Sequence, residues 1–269
     1  MGATRLERTF QHLKAERRIG LVPFVTAGFP DLPSTMDLVP ALVGAGADVV
    51  ELGVPFSDPL ADGATIQAAS FHALRQGVTV RKCLEVCAGL RGRGVEVPLV
   101  LMGYYNPLLA MGLRAFAREA QDAGVDGVIV ADLPPEEAGP LLEECRPRGI
   151  HWICLLAPTS NDGRIAAACA LASGFIYCVS IAGVTGVRER VGEQARSLVR
   201  RVRAHTTLPL AVGFGISRPE HLREASGYAD AVVVGSALLD AMKARPRAQM
   251  VQGATRFLLG LREVPQPTL

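Results

Sequence analysis

Eight short apolar runs, rich in Val and Ile, recur along the chain between segments that contain turn-forming residues. They lack the alternation of apolar and polar positions that marks a strand with one exposed face. Continuous apolar runs of this kind are typical of strands buried on both faces, as in parallel sheets. The runs are Leu21–Thr26, Asp48–Leu52, Pro98–Met102, Gly127–Ala131, His151–Leu156, Phe175–Val179, Pro209–Gly213 and Ala231–Gly235.

The segments between the runs carry apolar residues at helical spacing, and several end at a glycine just before the next run. Gly46, Gly124 and Gly149 are three such glycines. Glycine at a helix end favours the left-handed backbone conformation that stops the helix. Eight strands that alternate with helices at roughly thirty-residue spacing predict an α/β fold, a single (β/α)8 TIM barrel. A doubly wound open sheet is the structural alternative.

Two further elements are predicted outside this regular alternation. A charged helix over Arg5–Arg17 precedes the first strand. The stretch between the second and third runs is longer than the others, so added structure is expected there, beginning within Gly53–Gly77. Because no repeat or linker divides residues 1–269, we interpret them as one domain, with a frayed tail over residues 263–269.

The composition disfavours several classes of function. The chain has 28 basic and 26 acidic residues, and the net charge of +2 provides no basic surface to recruit nucleic acid or an anionic membrane. Six cysteines without a C-x-x-C pair or a secretory signal favour free thiols and a cytoplasmic protein. The five histidines have no metal-ligand spacing, so no metal is expected. The three lysines lie in helical segments, away from strand ends where an imine could form: Lys14, Lys82 and Lys243.

Acidic residues mark the end of the second run. Glu51 lies inside this apolar run, where a structural glutamate would need a buried cationic partner that the sequence does not offer. Burial should raise its pKa and let it exchange protons near neutral pH. Asp58 and Asp62 follow in a loop shaped by proline and glycine, where each alone is typical of a turn. On one barrel rim, Glu51 and Asp62 would form an acid–base pair, whereas Asp132 after the fourth run fits a helix N-cap equally well.

Glycine-rich segments follow the last three runs: Gly183–Gly186, Gly213–Ser217 and Gly235–Ser236. Glycine lets backbone N–H groups approach an anion, and a following helix N-terminus adds partial positive charge. Loops after strands seven and eight are the usual phosphate position in such barrels. One such segment is typical of a plain turn, but three in succession favour a phosphate site. The sequence therefore predicts a metal-free acid–base enzyme that acts on a phosphorylated small molecule.

The segment Glu51–Gly63 closely resembles the signature of the tryptophan synthase alpha subunit family. Phe24–Pro30, Gly183–Gly186 and Gly213–Ser217 are similar to further motifs of that family and stand in the expected order. The likeness covers nearly the whole chain. It implies a lyase of tryptophan biosynthesis that splits indole-3-glycerol phosphate into indole and glyceraldehyde 3-phosphate by a retro-aldol step.

The resemblance also implies roles for individual residues. Glu51 matches the acid–base residue that protonates the indole ring carbon and removes the glycerol hydroxyl proton. Asp62 matches the carboxylate that hydrogen-bonds the indole N–H, and Thr185 matches a mobile-loop threonine that contacts it when the site closes. The positions around the indole or the catalytic glutamate are matched by Phe24, Tyr104, Tyr177 and Phe214. The phosphate cradle is matched by Gly186, Gly215, Gly235 and Ser236.

A beta subunit is the partner that the resemblance implies, in an α2β2 tetramer. The loops at Pro55–Asp58 and Asn106–Pro107 would face that subunit, which holds pyridoxal phosphate, so no cofactor is expected on this chain. The sequence departs from the family pattern at two positions near the site. Ala64 stands where the family commonly has Pro, and Ile181 stands where some members carry Arg.

Three other functions stay open at this point. The chain would act as a stand-alone lyase if it released indole rapidly without a beta subunit. A non-catalytic regulatory barrel would hold a phosphoester without converting it, although the presence of Glu51 and Asp62 argues against this. A phosphosugar isomerase of similar architecture would not need an indole-sized apolar pocket beside the carboxylates.

Overall fold

Parallel strands and helices alternate along residues 2–179, 188–213 and 215–262, the part of the chain that the computed structural model describes. The strands are β1 (Gly20–Thr26), β2 (Val50–Gly53), β3 (Leu99–Gly103), β4 (Gly127–Val130), β5 (His151–Trp152), β6 (Cys154–Leu156), β7 (Ile176–Val179), β8 (Leu210–Gly213) and β9 (Ala231–Val234). The helices are α1 (Arg5–Ala15), α2 (Leu32–Gly44), α3 (Ala64–Arg75), α4 (Val80–Gly92), α5 (Tyr105–Met111), α6 (Leu113–Asp122), α7 (Gly139–Cys145), α8 (Asp162–Leu171), α9 (Arg188–Arg203), α10 (Pro219–Ser226), α11 (Ser236–Lys243) and α12 (Met250–Arg262). Short 3-10 helices lie at Pro135–Glu137, Arg146–Arg148 and Arg247–Gln249.

The strands form one parallel sheet in the order β5-β4-β3-β2-β1-β9-β8-β7-β6. Its two outer strands come from a single segment, because only Ile153 separates β5 from β6. The first half of this segment pairs with β4 and the second half with β7, so the segment closes the sheet into a ring. Each of the eight predicted runs forms one strand position of the barrel, and the predicted (β/α)8 fold is confirmed. The alternative of a doubly wound open sheet is wrong, because the two outer strands of the observed sheet belong to one continuous segment.

Burial explains why the strands have no polar alternation. All seven residues of β1 and all four residues of β2 and of β9 are buried. One face packs inside the barrel and the other against the surrounding helices, as in α6, which buries Phe116, Ala117 and Ala120. Burying a Val, Leu or Phe side chain contributes about 1.5–3 kcal/mol, so the ring and its helices stabilise each other.

The predicted helix ends agree with the structure at the three glycines but not at the first helix. Gly46, Gly124 and Gly149 have φ angles of 95°, 72° and 71°, the region that favours glycine. The helix predicted over Arg5–Arg17 ends at Ala15. Arg17 has a φ of 51°, and this left-handed turn brings the next backbone N–H to the carbonyl of residue 13 at 3.0 Å. Charge pattern alone did not mark this end.

The added structure predicted between the second and third runs is confirmed as two helices, α3 and α4, with a loop over residues 54–63 before α3. This loop carries Asp62 and lies at the end of the barrel where the strands have their carboxyl termini. None of the helices in the described part of the chain has both the length and the apolar composition needed to span a bilayer. The tail over residues 263–269 lies outside the described residues.

Candidate active site

Glu51 is a carboxyl group buried inside the barrel. It lies on β2, directly opposite Phe24 of β1, and its exposed fraction is 1%. Neither carboxylate oxygen has a hydrogen-bond partner among the described residues. Removal from water raises the pKa of Glu51 to about 8, with a smaller contribution from the negative charge of Asp62. At neutral pH Glu51 therefore holds a proton that it can donate.

Asp62 lies in a turn of the loop after β2, where its N–H donates to the carbonyl of Pro59 at 3.0 Å. The Tyr104 hydroxyl accepts a hydrogen bond from the N–H of Ala61 at 3.0 Å. Burial raises the pKa of Asp62 to about 6, and hydrogen bonding to the Tyr104 hydroxyl opposes that rise. Asp62 is therefore mainly ionised at neutral pH. The site combines a neutral and an ionised carboxyl group.

Aromatic and apolar side chains form a recess beside these carboxyl groups. It is lined by Phe24, Thr26, Gly53, Val54, Asp62, Ile66, Ser70, Met102, Gly103 and Tyr104. A Cβ atom on Gly53 would lie 2.5 Å from Cζ of Phe24, so only glycine leaves room for that ring. Tyr177 on β7 is buried, and this burial raises its pKa well above its ordinary value, with smaller contributions from the charges of Glu51 and Asp62. Apolar and aromatic side chains make up most of the walls of this recess.

Three of the four residues matched to the phosphate cradle, Gly215, Gly235 and Ser236, follow two neighbouring strands. β8 and β9 pair through Ala211 and Ala231, and their loops begin side by side. Gly215 is exposed with a φ of 58°, and Gly235 is the N-cap of α11, which begins at the exposed Ser236. Open backbone N–H groups at a helix N-terminus suit an anion. Three further predicted residues, Thr185, Gly186 and Phe214, lie outside the described residues, as does Ile181.

The residues predicted to face a partner lie around one open groove of about 590 Å³. Pro55 and Pro107 are on its wall, although Pro55 is itself buried. Asp58 and Asn106 are exposed next to it, in the loop after β2 and in α5. The groove therefore connects the loop that carries Asp62 with the first helix after β3.

Asp132 and Ser70 act on backbone groups close to the site. Asp132 accepts a hydrogen bond from the N–H of Tyr105 at 2.8 Å, so it caps α5 rather than the helix that follows it in sequence. Ser70 accepts from the N–H of Phe56 at 3.0 Å and donates to the carbonyl of the same residue at 3.3 Å. The Phe56 ring stacks on Tyr104 with centroids 5.0 Å apart. Sequence reasoning missed Ser70, because a serine inside a helix carries no chemical signature.

Thr26 is a second residue that the sequence did not mark. It lines the recess, is 1% exposed, and its hydroxyl has no hydrogen-bond partner among the described residues. The sequence gives one indication of a functional role: Thr26 lies at the carboxyl end of β1, and polar side chains at strand ends of such barrels are often functional.

Among the described residues of this site, side chains for imine or metal chemistry are not grouped together. The three lysines lie in α1, α4 and α11, as predicted. Across the described ranges, no set of three His, Cys, Asp or Glu side chains is arranged to hold a metal ion.

Comparison with known proteins finds relatives that are similar over most of this chain. The profile of the family described as "Tryptophan synthase alpha chain" matches residues 10–263. A protein named tryptophan synthase alpha chain from Roseiflexus sp. (strain RS-1) is 50% identical over 259 residues, or 96% of this chain and 99% of that protein. The crystal structure of a tryptophan synthase alpha chain from Legionella pneumophila subsp. pneumophila has a TM-score of 0.88 at 37% identity and covers 97% of each chain. A chain of the tryptophan synthase complex from Pyrococcus furiosus has a TM-score of 0.84 at 37% identity, covering 91% of this chain and 98% of that chain.

Proposed function

This chain belongs to the tryptophan synthase alpha chain family, and on that premise we propose that it cleaves indole-3-glycerol phosphate into indole and glyceraldehyde 3-phosphate. The observation that carries the proposal is Glu51, a fully buried carboxyl group with no partner among the described residues. An unpaired buried acid opposes folding, because its desolvation is not offset by a hydrogen bond. Such a group is expected where a substrate completes the missing interactions.

Glu51 supplies the proton transfers of the proposed reaction. In its neutral form it donates a proton to the ring carbon that bears the glycerol chain, which leaves a cationic indolenine. The resulting carboxylate then takes the proton of the adjacent glycerol hydroxyl. The carbon–carbon bond breaks, its electron pair restores the aromatic ring, and the oxygen becomes the aldehyde carbonyl. Glu51 ends the cycle protonated, so the reaction needs no external acid or base.

Asp62 stabilises the charge that develops between these two proton transfers. The cationic indolenine carries its positive charge at the ring nitrogen, and an ionised carboxylate that accepts the N–H hydrogen bond lowers the energy of this state. The aromatic recess around Phe24 and Tyr104 suits the ring itself. The backbone at Gly215, Gly235 and the start of α11 suits the phosphate at the other end of the substrate.

We assign the groove near Pro55 and Pro107 to a beta subunit as partner, in an α2β2 assembly. The support is twofold: the groove adjoins the loop that carries Asp62, and the similar Pyrococcus furiosus chain comes from a tryptophan synthase complex. In this assignment pyridoxal phosphate resides on the beta subunit and this chain carries no cofactor.

Indole release from indole-3-glycerol phosphate by the purified chain, with and without a beta subunit, tests the proposal. We expect release by the unsubstituted chain and loss of about 10²–10⁴-fold in kcat for Glu51→Gln, since one group serves both proton transfers. Glu143→Gln, the same change at an exposed position of α7, should keep full activity. Tight binding of glyceraldehyde 3-phosphate without any indole release would instead indicate a non-catalytic barrel.

A further inference from the structure

The four-residue turn Pro59–Asp62 presents Asp62 to the recess, with Pro59 buried at its start and Asp62 half-buried at its end. Leu60 at its tip is 94% exposed, and Ala61 is also exposed. Its one internal backbone hydrogen bond joins the N–H of Asp62 to the carbonyl of Pro59 at 3.0 Å. The middle of the turn is therefore held by groups outside it, because its exposed side chains contribute little burial.

Two side chains from different elements hold this turn. Tyr104, at the end of β3, accepts from the N–H of Ala61 at 3.0 Å. Gln67, one turn into α3, donates its side-chain amide to the carbonyl of Asp62 at 2.9 Å and reaches the carbonyl of Pro59 at 3.4 Å. Gln67 thus contacts both ends of the turn, while Tyr104 contacts its middle.

The helix that carries Gln67 is fixed against the same loop at a second point. Ser70 lies three residues further along α3, on the same face of the helix, and binds both backbone groups of Phe56. The helix therefore holds the loop where it leaves β2 and again where it delivers Asp62. Gln67 is half-buried, so its amide competes with water only in part.

We infer that Gln67 is the positioning residue of Asp62: its amide fixes the backbone that aims the Asp62 carboxylate at the indole nitrogen. The inference rests on the proposed cleavage and deepens it. Gln67 takes no part in proton transfer. It acts through Asp62, because a small displacement of a group that must meet a developing charge lowers the rate strongly while leaving phosphate binding intact.

Gln67→Met tests this role, because methionine keeps the length and shape of the side chain and removes both N–H donors. We expect kcat for indole release to fall about 10- to 100-fold, as for a displacement of roughly 1 Å at a reacting group. The Kd of glyceraldehyde 3-phosphate and the Tm should stay close to those of the unsubstituted chain. Gln121→Met, the same change at an exposed position of α6, is the matched control and should lose nothing.

A double-substitution cycle separates positioning from a general packing defect. In an Asp62→Asn background, Gln67→Met should cause no further loss of kcat, because both changes remove the same interaction. Gln67→Glu gives a second readout. Its protonated carboxyl group can donate to the Asp62 carbonyl whereas its ionised form cannot, so its activity relative to the unsubstituted chain should rise as the pH falls toward about 5. The same ratio for Gln67→Met should not change with pH.

The possible failures are distinguishable. If the unsubstituted chain releases no indole, the proposed function is wrong. If it does release indole and Gln67→Met keeps its kcat, or its loss multiplies with that of Asp62→Asn, the positioning role of Gln67 is wrong and the proposed function stands.

Discussion

Glu51 and Asp62 are both carboxylic acids, and their surroundings give them different protonation states at neutral pH. Glu51 is removed from water and has no hydrogen-bond partner among the described residues, so its pKa rises to about 8. Asp62 is less buried and interacts with the Tyr104 hydroxyl, so its pKa rises only to about 6. Two similar groups can thereby serve as proton donor and charge stabiliser within one site.

The pH dependence of kcat/KM follows from these two values. Glu51 must start protonated, so activity is expected to fall as the pH rises through about 8. Asp62 must be ionised, so activity should also fall below about pH 6. Asp62→Asn should lower the maximum and move the upper limb of the profile to lower pH, because the Asp62 charge raises the pKa of Glu51. Indole release measured between about pH 5 and pH 10 checks this.

The upper limb is the diagnostic part of this profile. The substrate phosphate also titrates near about pH 6, so the lower limb alone does not identify Asp62. Asp122→Asn, at an exposed position of α6, should leave both limbs in place. An upper limb that stays at the same pH in Asp62→Asn would contradict the electrostatic coupling of the two carboxyl groups.

At the scale of elements, the start of α11 is where binding and stability can be separated. Gly235 is its N-cap, and a Cβ added there would meet Phe24 and Ile66 at ordinary contact distances of 3.6 and 3.7 Å. An alanine therefore fits the fold. We expect the added methyl group at this N-cap to hinder the close approach of an anion to the backbone N–H groups of the helix N-terminus.

Gly235→Ala should weaken binding of glyceraldehyde 3-phosphate about tenfold or more, as expected for one lost hydrogen bond to a charged group at about 1.5–3 kcal/mol. Indole carries no phosphate, so its affinity should change much less, and the Tm should change little. Calorimetric titration with each ligand provides the measurement. Gly139→Ala, at the first residue of α7 where no atom lies within 4 Å, is the matched control. Equal losses for both ligands would show a packing defect and overturn the phosphate assignment.

The strands could be predicted from sequence because burial on both faces leaves a local mark, a continuous apolar run. The division of the fifth run at Ile153 could not be predicted, because it arises when the segment changes its pairing partner from β4 to β7. The end of α1 is a similar case: the left-handed turn at Arg17 depends on packing rather than on its residue type.

The candidate site shows the same contrast. Glu51 could be identified because a lone acid in an apolar run is costly and therefore informative. Gln67 and Ser70 could not, since Gln and Ser are ordinary on a helix and their contacts depend on how the loop after β2 folds. Thr26 is the last residue of a predicted strand, which is a signal in sequence, but only the structure shows that its hydroxyl is buried without a hydrogen-bond partner among the described residues.

At the scale of the whole molecule, aspartate side chains stabilise the end of the barrel opposite the candidate site through hydrogen bonds and ion pairs. Three aspartates, each just before a strand, accept a hydrogen bond from the backbone N–H at the start of the neighbouring strand. The pairs are Asp48 with Leu21, Asp126 with Leu99 and Asp230 with Leu210, at 2.8, 2.8 and 2.7 Å. Each aspartate also pairs with an arginine from outside the sheet. At three separate points around the barrel, one aspartate therefore connects two neighbouring strands with an arginine outside the sheet.

Asp48 joins two parts of the chain that are far apart in sequence. Its carboxylate pairs with Arg18, which precedes β1, at 2.8 Å, and with Arg262, at the end of α12, at 2.6 Å. Arg262 also donates to the carbonyl of Gly46 at 2.6 Å. The side chain of Asp48 is 11% exposed, so the group is largely shielded from water. The N-terminal and C-terminal segments are therefore connected through one carboxylate.

Asp48→Ala should lower the free energy of unfolding by about 3–5 kcal/mol, because it removes the carboxylate that two partly buried arginines share and leaves a strand N–H without its acceptor. Asp230→Ala removes a corresponding contact, but the Asp230 side chain is 43% exposed and pairs with one arginine. Water can replace that partner, so a smaller loss of about 1–2 kcal/mol is expected. Urea unfolding of both variants compares the two losses. Neither should change kcat where the fold is intact, since both aspartates lie at the opposite end of the barrel from Asp62. Equal losses for the two variants would show that the shared carboxylate adds nothing beyond a single local contact.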